Sequence, residues 1–446
     1  MWGGAVSPVA FLLLPALARA EEDVEIEVEA SPPAPQANSV PAAEVPVEPP
    51  PPSPVKIDPL AVTGLKFSGY LQAQYQHSQL SLDELSPDGE AYNQDRFVLR
   101  RARLTVERPF TYGAVKLEFD ANTVHGLQVA PRRAYARLHV PNPTSDSPFV
   151  ALTAGLFDIP LGFELQQSAE DRLYMERSLG SRALFPGDAD VGAQLHGGLG
   201  PLRYQVAVLN GVPLSATASA TEVFTHKKTF AGRLGAEVEK PDRYTFAGGA
   251  SILSGTGFHA GTAATSPQLL WSDANLNGLV SLDELGAIPA QAASPSATFA
   301  QWAVALDLQA AVHSPIGWTR LYGEATLASN LDRGLVVADP VSTGFDLREL
   351  AWNVAATQDL FDYGAVGFRV DAYNGNSDAF EARRGLFLPA DLSVLTLSPL
   401  AMVQFPGVGR LLFQYDYVVD HLGRDVSGEP IDLANDQWTL RAQVGF

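Results

Sequence analysis

The sequence predicts an all-β chain closed into a transmembrane antiparallel β-barrel of about sixteen strands. Three observations lead there. From Leu65 onward the text is a succession of stretches, roughly ten residues each, with period-two alternation of apolar and polar residues. The connections between them alternate long and short, as the two rims of a membrane barrel require and a β-sandwich does not. An export-type leader opens the chain and an aromatic strand ends it.

The leader is residues 1–20. Its apolar run VAFLLLPALARA ends with Ala18 and Ala20 at the small-residue positions of a signal-peptidase site, so the mature chain is expected to begin at Glu21. No other apolar run approaches the ~18 residues of a spanning helix. Residues 21–59 are rich in Pro and Glu and hold no aromatic residue. Such a composition buries too little apolar surface to offset its ordering entropy, so this stretch is expected to be a disordered acidic linker. The barrel domain is then 60–446.

Composition is consistent with this division. The chain of 446 residues is 46% hydrophobic and 18% charged, has no cysteine, and carries a net charge of −20. Disulfides and thiolate metal sites are excluded, and the acidic balance argues against a nucleic-acid partner.

In order, the strands are expected near 64–77, 95–108, 112–122, 130–140, 148–157, 189–199, 202–210, 226–239, 243–254, 297–313, 317–329, 345–358, 363–374, 393–405, 408–421 and 434–446. Longer connections fall at 78–94, 123–129 (of medium length), 158–188, 211–225, 255–296, 330–344, 375–392 and 422–433, with short turns between them. The faces follow the alternation. In AVKLEFDA, Val115, Leu117 and Phe119 oppose Lys116, Glu118 and Asp120; in RRAYARLHV, Ala134, Ala136, Leu138 and Val140 oppose Arg133, Tyr135, Arg137 and His139. A membrane barrel puts the apolar set toward lipid and the polar set toward the lumen. The last strand, WTLRAQVGF, places Trp438, Leu440, Ala442, Val444 and Phe446 on one face. It looks like the C-terminal strand signal of bacterial outer-membrane barrels, which implies an outer-membrane location.

Two segments carry a family resemblance: RFVLRRARLTVERPF at 96–110, and AGLFDIPLGFELQQSAEDRLYMERSL at 154–179 with its G-x-F-x-x-P-x-G and E-R-S elements. Together they resemble the phosphate-selective porin O and P family. The resemblance implies a sixteen-stranded homotrimeric porin whose third long loop, here 158–188, folds into the lumen and narrows it.

Alternation then places candidate pore-lining cations at Arg101, Arg103, Lys116, Arg133 and Arg137 on adjacent strands, with Arg172 and Arg177 on the third loop. Arg100 falls on the outer face with Val98, Ala102 and Leu104. There it is expected near the outer rim, snorkelling toward lipopolysaccharide phosphates or lying in a subunit interface. A basic wall facing a partly acidic loop suits small anions, since guanidinium forks pair with oxyanions such as phosphate. Inward acids Glu118, Asp120, Glu237, Asp307, Glu324, Asp371 and Asp416, and a total of only six lysines, suit a general diffusion pore for small hydrophilic solutes. Both readings stay open.

The fifth long loop contains DANLNGLVSLDE, 273–284, which fits D-x-[DN]-x-[DN]-G-x5-E at every fixed position. Asp273, Asn275, Asn277, the Leu279 carbonyl, Ser281 and Glu284 take positions one, three, five, seven, nine and twelve of a Ca2+ loop. Two asparagines lower the ligand charge, so weak binding is expected.

No nucleophile elbow, H-E-x-x-H or P-loop is present, so the chain is not expected to be an enzyme. Two other classes stay open: a structural or adhesive barrel with a calcium-ordered loop, and an outer-membrane hydrolase.

Overall fold

The computed structural model describes residues 64–79, 93–124, 126–143, 145, 147–211, 227–273 and 276–446. The leader at 1–20 and the linker at 21–59 lie outside them. Sixteen antiparallel strands close into one barrel: β1 Lys66–Gln79, β2 Asn93–Phe110, β3 Gly113–Asn122, β4 Gln128–Val140, β5 Val150–Asp158, β6 Ala189–Leu199, β7 Leu202–Leu209, β8 Thr229–Lys240, β9 Tyr244–His259, β12 Ala297–Ser314, β13 Gly317–Ser329, β14 Arg348–Leu360, β15 Gly364–Asn374, β18 Ser393–Phe405, β19 Gly409–Asp420 and β22 Gln437–Gly445. Each pairs with the next in this order, and β22 returns to β1 through Tyr70↔Gly445 to Ser78↔Gln437. The closed circuit leaves no strand edge unpaired, as a spanning sheet needs. All sixteen expected strands are present, with ends shifted by a few residues.

The intervening numbers belong to three hairpins inside long connections: β10 Gln268–Trp271 with β11 Leu285–Ile288, β16 Phe380–Arg383 with β17 Leu386–Pro389, and β20 Gly423–Arg424 with β21 Pro430–Ile431. Sequence alternation did not separate these from loop. Two short helices, Leu179–Leu184 and Pro340–Thr343, also sit in long connections. No described helix is long and apolar enough to cross a membrane, which does not bear on strands.

Burial is inverted relative to a water-soluble protein. On β12, Val304, Leu306 and Leu308 are exposed, whereas Ala303, Ala305 and Asp307 are buried. The same pattern recurs around the circuit: Leu117 and Phe119, Leu234 and Val238, Val366 and Phe368, Phe413 and Leu440 all face outward. A continuous apolar exterior of this kind has lipid as its natural solvent. Exposed Phe110, Tyr112, Phe361, Tyr363 and Phe405 gather at the short-turn rim, where aromatic rings match a membrane interface.

Two register shifts interrupt the ladder among the described residues. Between β1 and β2, Gln72 pairs with Arg101 and Ala73 with Leu99, so Arg100 is an extra residue. Between β3 and β4, Glu118 pairs with Arg133 and Phe119 with Pro131, so Arg132 is the extra one. A β-bulge sets two residues of one strand opposite one of its partner and turns both the same way.

The connection 159–188 packs against inward-facing side chains of the wall. Its Ile159, Leu161, Leu165, Leu184 and Phe185 form an apolar core with Ala207, Ala231, Ala303, Ala305, Ala328 and Ala351. Alanines on the inward faces of β7, β8 and β12–β14 leave the space these larger side chains fill. On the other flank, Tyr174 and Met175 pack with Ala355, Leu400 and Leu412.

Candidate functional site

The path of 159–188 is fixed by hydrogen bonds to strands spread around the barrel. The Ser251 hydroxyl on β9 accepts from Gly162 N at 3.1 Å, and the Glu324 carboxylate on β13 accepts from Phe163 N at 2.7 Å and Glu164 N at 3.0 Å. Gly162 has φ +59° and lies against the Glu324 carboxylate, so a side chain there would be strained and would clash. Further along, Asp371 on β15 accepts from Leu179 N at 3.0 Å, and Gln414 on β19 accepts from Met175 N at 3.0 Å. Tyr174 donates its hydroxyl to the Ala356 carbonyl of β14 at 3.1 Å. On the remaining side, Gln72 of β1 donates to the Ala169 carbonyl and Gln443 of β22 to that of Glu170, both at 3.0 Å.

Charge pins the same segment through Arg369 and Glu164 at 3.9 Å and, more closely, at two points that both fall at a bulge. At the first, Arg100 donates Nε and Nη2 to the two Glu176 oxygens at 2.7 and 2.9 Å, and Arg101 donates to them at 3.1 and 2.7 Å. Arg441 of β22 adds a third guanidinium at 2.7 Å. Burial opposes ionisation of Glu176, but the pull of Arg100, then Arg101 and Arg441, outweighs it and holds the carboxyl well below the ordinary glutamate range. At the second, Arg132 reaches Asp158 at 2.6 Å and Asp188 at 2.5 Å, while Arg133 reaches Asp158 at 2.5 Å and Glu118 at 3.0 Å. For Asp188, burial again pushes up, and Arg132 followed by Arg177 brings the carboxyl below its ordinary value.

These contacts correct the expectation for Arg100. It does not lie on the outer face: the bulge rotates it into the lumen beside Arg101, and Val98 with it is buried opposite Gln74. The same rotation brings in Arg132, which period-two counting leaves facing lipid. A signal was present in the sequence, because both bulges fall on an Arg-Arg pair. In an unbroken strand one of two adjacent arginines must face hydrocarbon, at a cost of ~2–4 kcal/mol near the midplane, and a bulge removes that cost.

The other candidate cations divide by partner. Arg103 is buried, pairs with Asp120 at 3.0 Å and Glu118 at 3.6 Å, and stacks over the Tyr70 ring. Arg172 is buried within the loop, donating to the Gln167 carbonyl at 3.0 Å; burial, with Arg101 and Arg177 nearby, pushes it down to about 10. Arg177 is turned into the loop and donates to the Phe185 carbonyl at 2.7 Å and to Ser181, so it braces the helix Leu179–Leu184 and not the channel wall. Lys116 and Arg137 form no ion pair with a described acid, and Arg137 Nε has no hydrogen-bond partner. The expected basic wall is therefore largely neutralised by direct pairing, and the charge left over sits lower on β3 and β4.

Below the segment, toward the short turns, a cavity of about 690 Å3 is lined by Asp171, Arg172, Tyr174, Arg320, Tyr322, Asp359 and Arg410 among others. A second, of about 440 Å3, is lined in part by His196, Arg203, Tyr204, Arg233 and Glu237, and shares Phe163, Thr245 and Gln309 with the first. Both mix charges of each sign. Of the calcium motif, Asp273, Asn277, Leu279, Ser281 and Glu284 are described at the tip of the β10–β11 hairpin, and Asn275 lies outside the described residues.

No protein-family model and no curated protein sequence matches the chain. Its structure is similar to the outer membrane channel DcaP of Acinetobacter baumannii, with 12% identity and a TM-score of 0.52, over 86% of this chain and 97% of that one. It is also similar to Pseudomonas putida OprB, with 10% identity and a TM-score of 0.54, over 87% of this chain and 95% of that one. At these identities the likeness is one of fold, that of the closed antiparallel barrel described above.

Proposed function

We propose that the chain is a bacterial outer-membrane porin, exported by its leader, that passes small hydrophilic solutes by passive diffusion. The observation that carries this reading is the combination of an apolar exterior with a lumen lined by charged and polar side chains and opening into cavities at the short-turn end. Such an interior serves water and dissolved solutes, and such an exterior serves lipid. In this reading 159–188 is the constriction, and solute passes between it and the wall it leaves free. No catalytic role is assigned.

Selectivity follows from what remains unpaired. Arg137 and Lys116 favour anions, and the resemblance of 96–110 and 154–179 to phosphate-selective porins favours oxyanions among them. The mixed charges of the cavities favour a general pore with an anion bias superimposed. A homotrimer is inferred from the same resemblance. Single-channel recording of the purified protein in planar bilayers tests the whole proposal. Stepwise conductance supports it; a barrel that inserts without conducting favours a structural or adhesive role instead. Reversal potentials in a salt gradient, with and without phosphate, then separate the general pore from an oxyanion channel.

A further inference from the structure

The β10–β11 hairpin carries a tip in which burial runs opposite to side-chain polarity. Leu276, Leu279 and Leu282 are 88%, 69% and 89% exposed, whereas Glu284 is only 7% exposed. Ser281 Oγ is buried and has no hydrogen-bond partner. Burying a hydroxyl without a partner while neighbouring leucines face water is unfavourable unless something beside Ser281 compensates.

The backbone is already wound around that interior. Asp273 accepts from Asn277 N at 3.0 Å and from Gly278 N at 2.8 Å, one bond to each carboxylate oxygen, and Asn277 Oδ1 accepts from Leu279 N at 2.7 Å. Leu276 and Gly278 take left-handed φ values of 56° and 69°. Ser272 N donates to the Glu284 carbonyl at 3.1 Å, closing the neck so that the twelfth residue of the stretch returns to the residue just before the first. A 3-10 turn, Leu282–Glu284, delivers the Glu284 carboxylate, and Trp271 Nε1 donates to its Oε2 at 3.3 Å.

We propose that Asp273, Asn277, Ser281, Glu284 and the Leu279 carbonyl, all described at the tip of the β10–β11 hairpin, supply the oxygen ligands of a calcium site. All five are oxygen donors, which selects a hard cation and gives zinc or copper nothing soft to bind. Their positions at one, five, seven, nine and twelve match a loop that encloses Ca2+ with a bidentate carboxylate at its end. Among the described residues no three His, Asp or Glu side chains converge. The site therefore relies on two carboxylates helped by neutral oxygens, and its dissociation constant belongs in the ~10⁻⁴–10⁻³ M class of extracellular modules. Binding would tie the hairpin tip to its neck and hold the exposed leucines in one arrangement.

Trp271 makes the site directly readable, because an indole beside the bound ion sensitises terbium luminescence. The full chain, refolded in detergent without lipopolysaccharide, is titrated with Tb3+ under tryptophan excitation. Saturable emission is expected, displaced by calcium at ~0.1–1 mM but not by equal magnesium. Glu284→Gln should weaken terbium binding at least tenfold while the folded barrel keeps its heat-modifiable mobility on gels. Trp271→Phe should abolish the emission yet leave calcium binding by calorimetry. Emission that survives Trp271→Phe, ignores calcium, or is unchanged in Glu284→Gln overturns the proposal.

Discussion

Arg100 and Glu176 form a two-pronged ion pair, with Nε and Nη2 of one meeting both carboxylate oxygens of the other at 2.7 and 2.9 Å. The pair joins the wall to the middle of the 159–188 connection. Because Arg101 and Arg441 share the same carboxylate, removing Glu176 leaves three partly buried guanidinium groups without it. Glu176→Gln should therefore destabilise the folded barrel by ~3–5 kcal/mol, read from urea unfolding in lipid vesicles. A double-mutant cycle with Arg100→Ala should return a coupling of ~1–3 kcal/mol. Additive losses would mean that Arg100 and Glu176 do not act together.

The second clamp gives a spatially separate prediction. Arg132 ties Asp158, at the end of β5, to Asp188, just before β6, so it staples the two ends of the connection. Arg132→Ala should speed hydrogen exchange at both ends of 159–188 while leaving the β1–β2 ladder protected. Arg133→Ala, which keeps the Arg132 bridge, should do less. Equal effects from the two variants would contradict the staple.

Much of this was legible in the sequence, and its failures are local. All sixteen strands could be found because a lipid-facing residue every second position is a strong constraint, and because long and short connections sort to opposite rims. The faces of Lys116, Arg133 and Arg137 followed from the same period. Period-two counting turns Arg100 and Arg132 to the wrong face for one reason: it assumes an unbroken register, and a single extra residue reverses every face beyond it. The pairing of Arg101 could not be read either, since its partner Glu176 comes from the 159–188 connection, whose path depends on the closed wall, whereas Arg103 and Asp120 are cross-strand partners in the β2–β3 hairpin.

Acid should loosen the connection. Glu176 and Asp188 both have folded-state ionisation lowered below their free values of about 4.3 and 3.9. A depressed carboxyl contributes stability that is fully present above its unfolded value and lost as pH falls through its folded value. Protease resistance of 159–188 should therefore be the same at pH 7 and about pH 5, and should decline below about pH 4. Glu176→Gln should remove part of that acid dependence. A loss already complete between pH 7 and 5 would assign the effect to other groups.

The lipid face is tested by a charge placed where no partner exists. Leu306 points outward from the middle of β12 and is exposed. Leu306→Arg should cost ~2–4 kcal/mol if it lies near the bilayer midplane, measured by reversible unfolding in vesicles. The same substitution in a detergent of short chain length should cost less, because water reaches the side chain there. A neutral result in vesicles would place this face out of the hydrocarbon.

Selectivity should follow unpaired charge and not total charge. Arg101 and Arg103 lie in the lumen, but each already faces a carboxylate within 3.0 Å, so a passing anion meets little of their field. Arg137 has no such partner among the described residues, its Nε is unpaired, and its neighbours His139 and His196 add no negative charge. Reversal potentials in a tenfold potassium chloride gradient should move toward cation preference more for Arg137→Ala than for Arg101→Ala. Arg101→Ala should instead change open-channel noise, because it weakens the hold on Glu176. If Arg101→Ala produced the larger potential shift, the carboxylate pairing would not screen the wall, and the basic face formed by Arg101, Arg103 and Arg133 would have to be restored as the selectivity element.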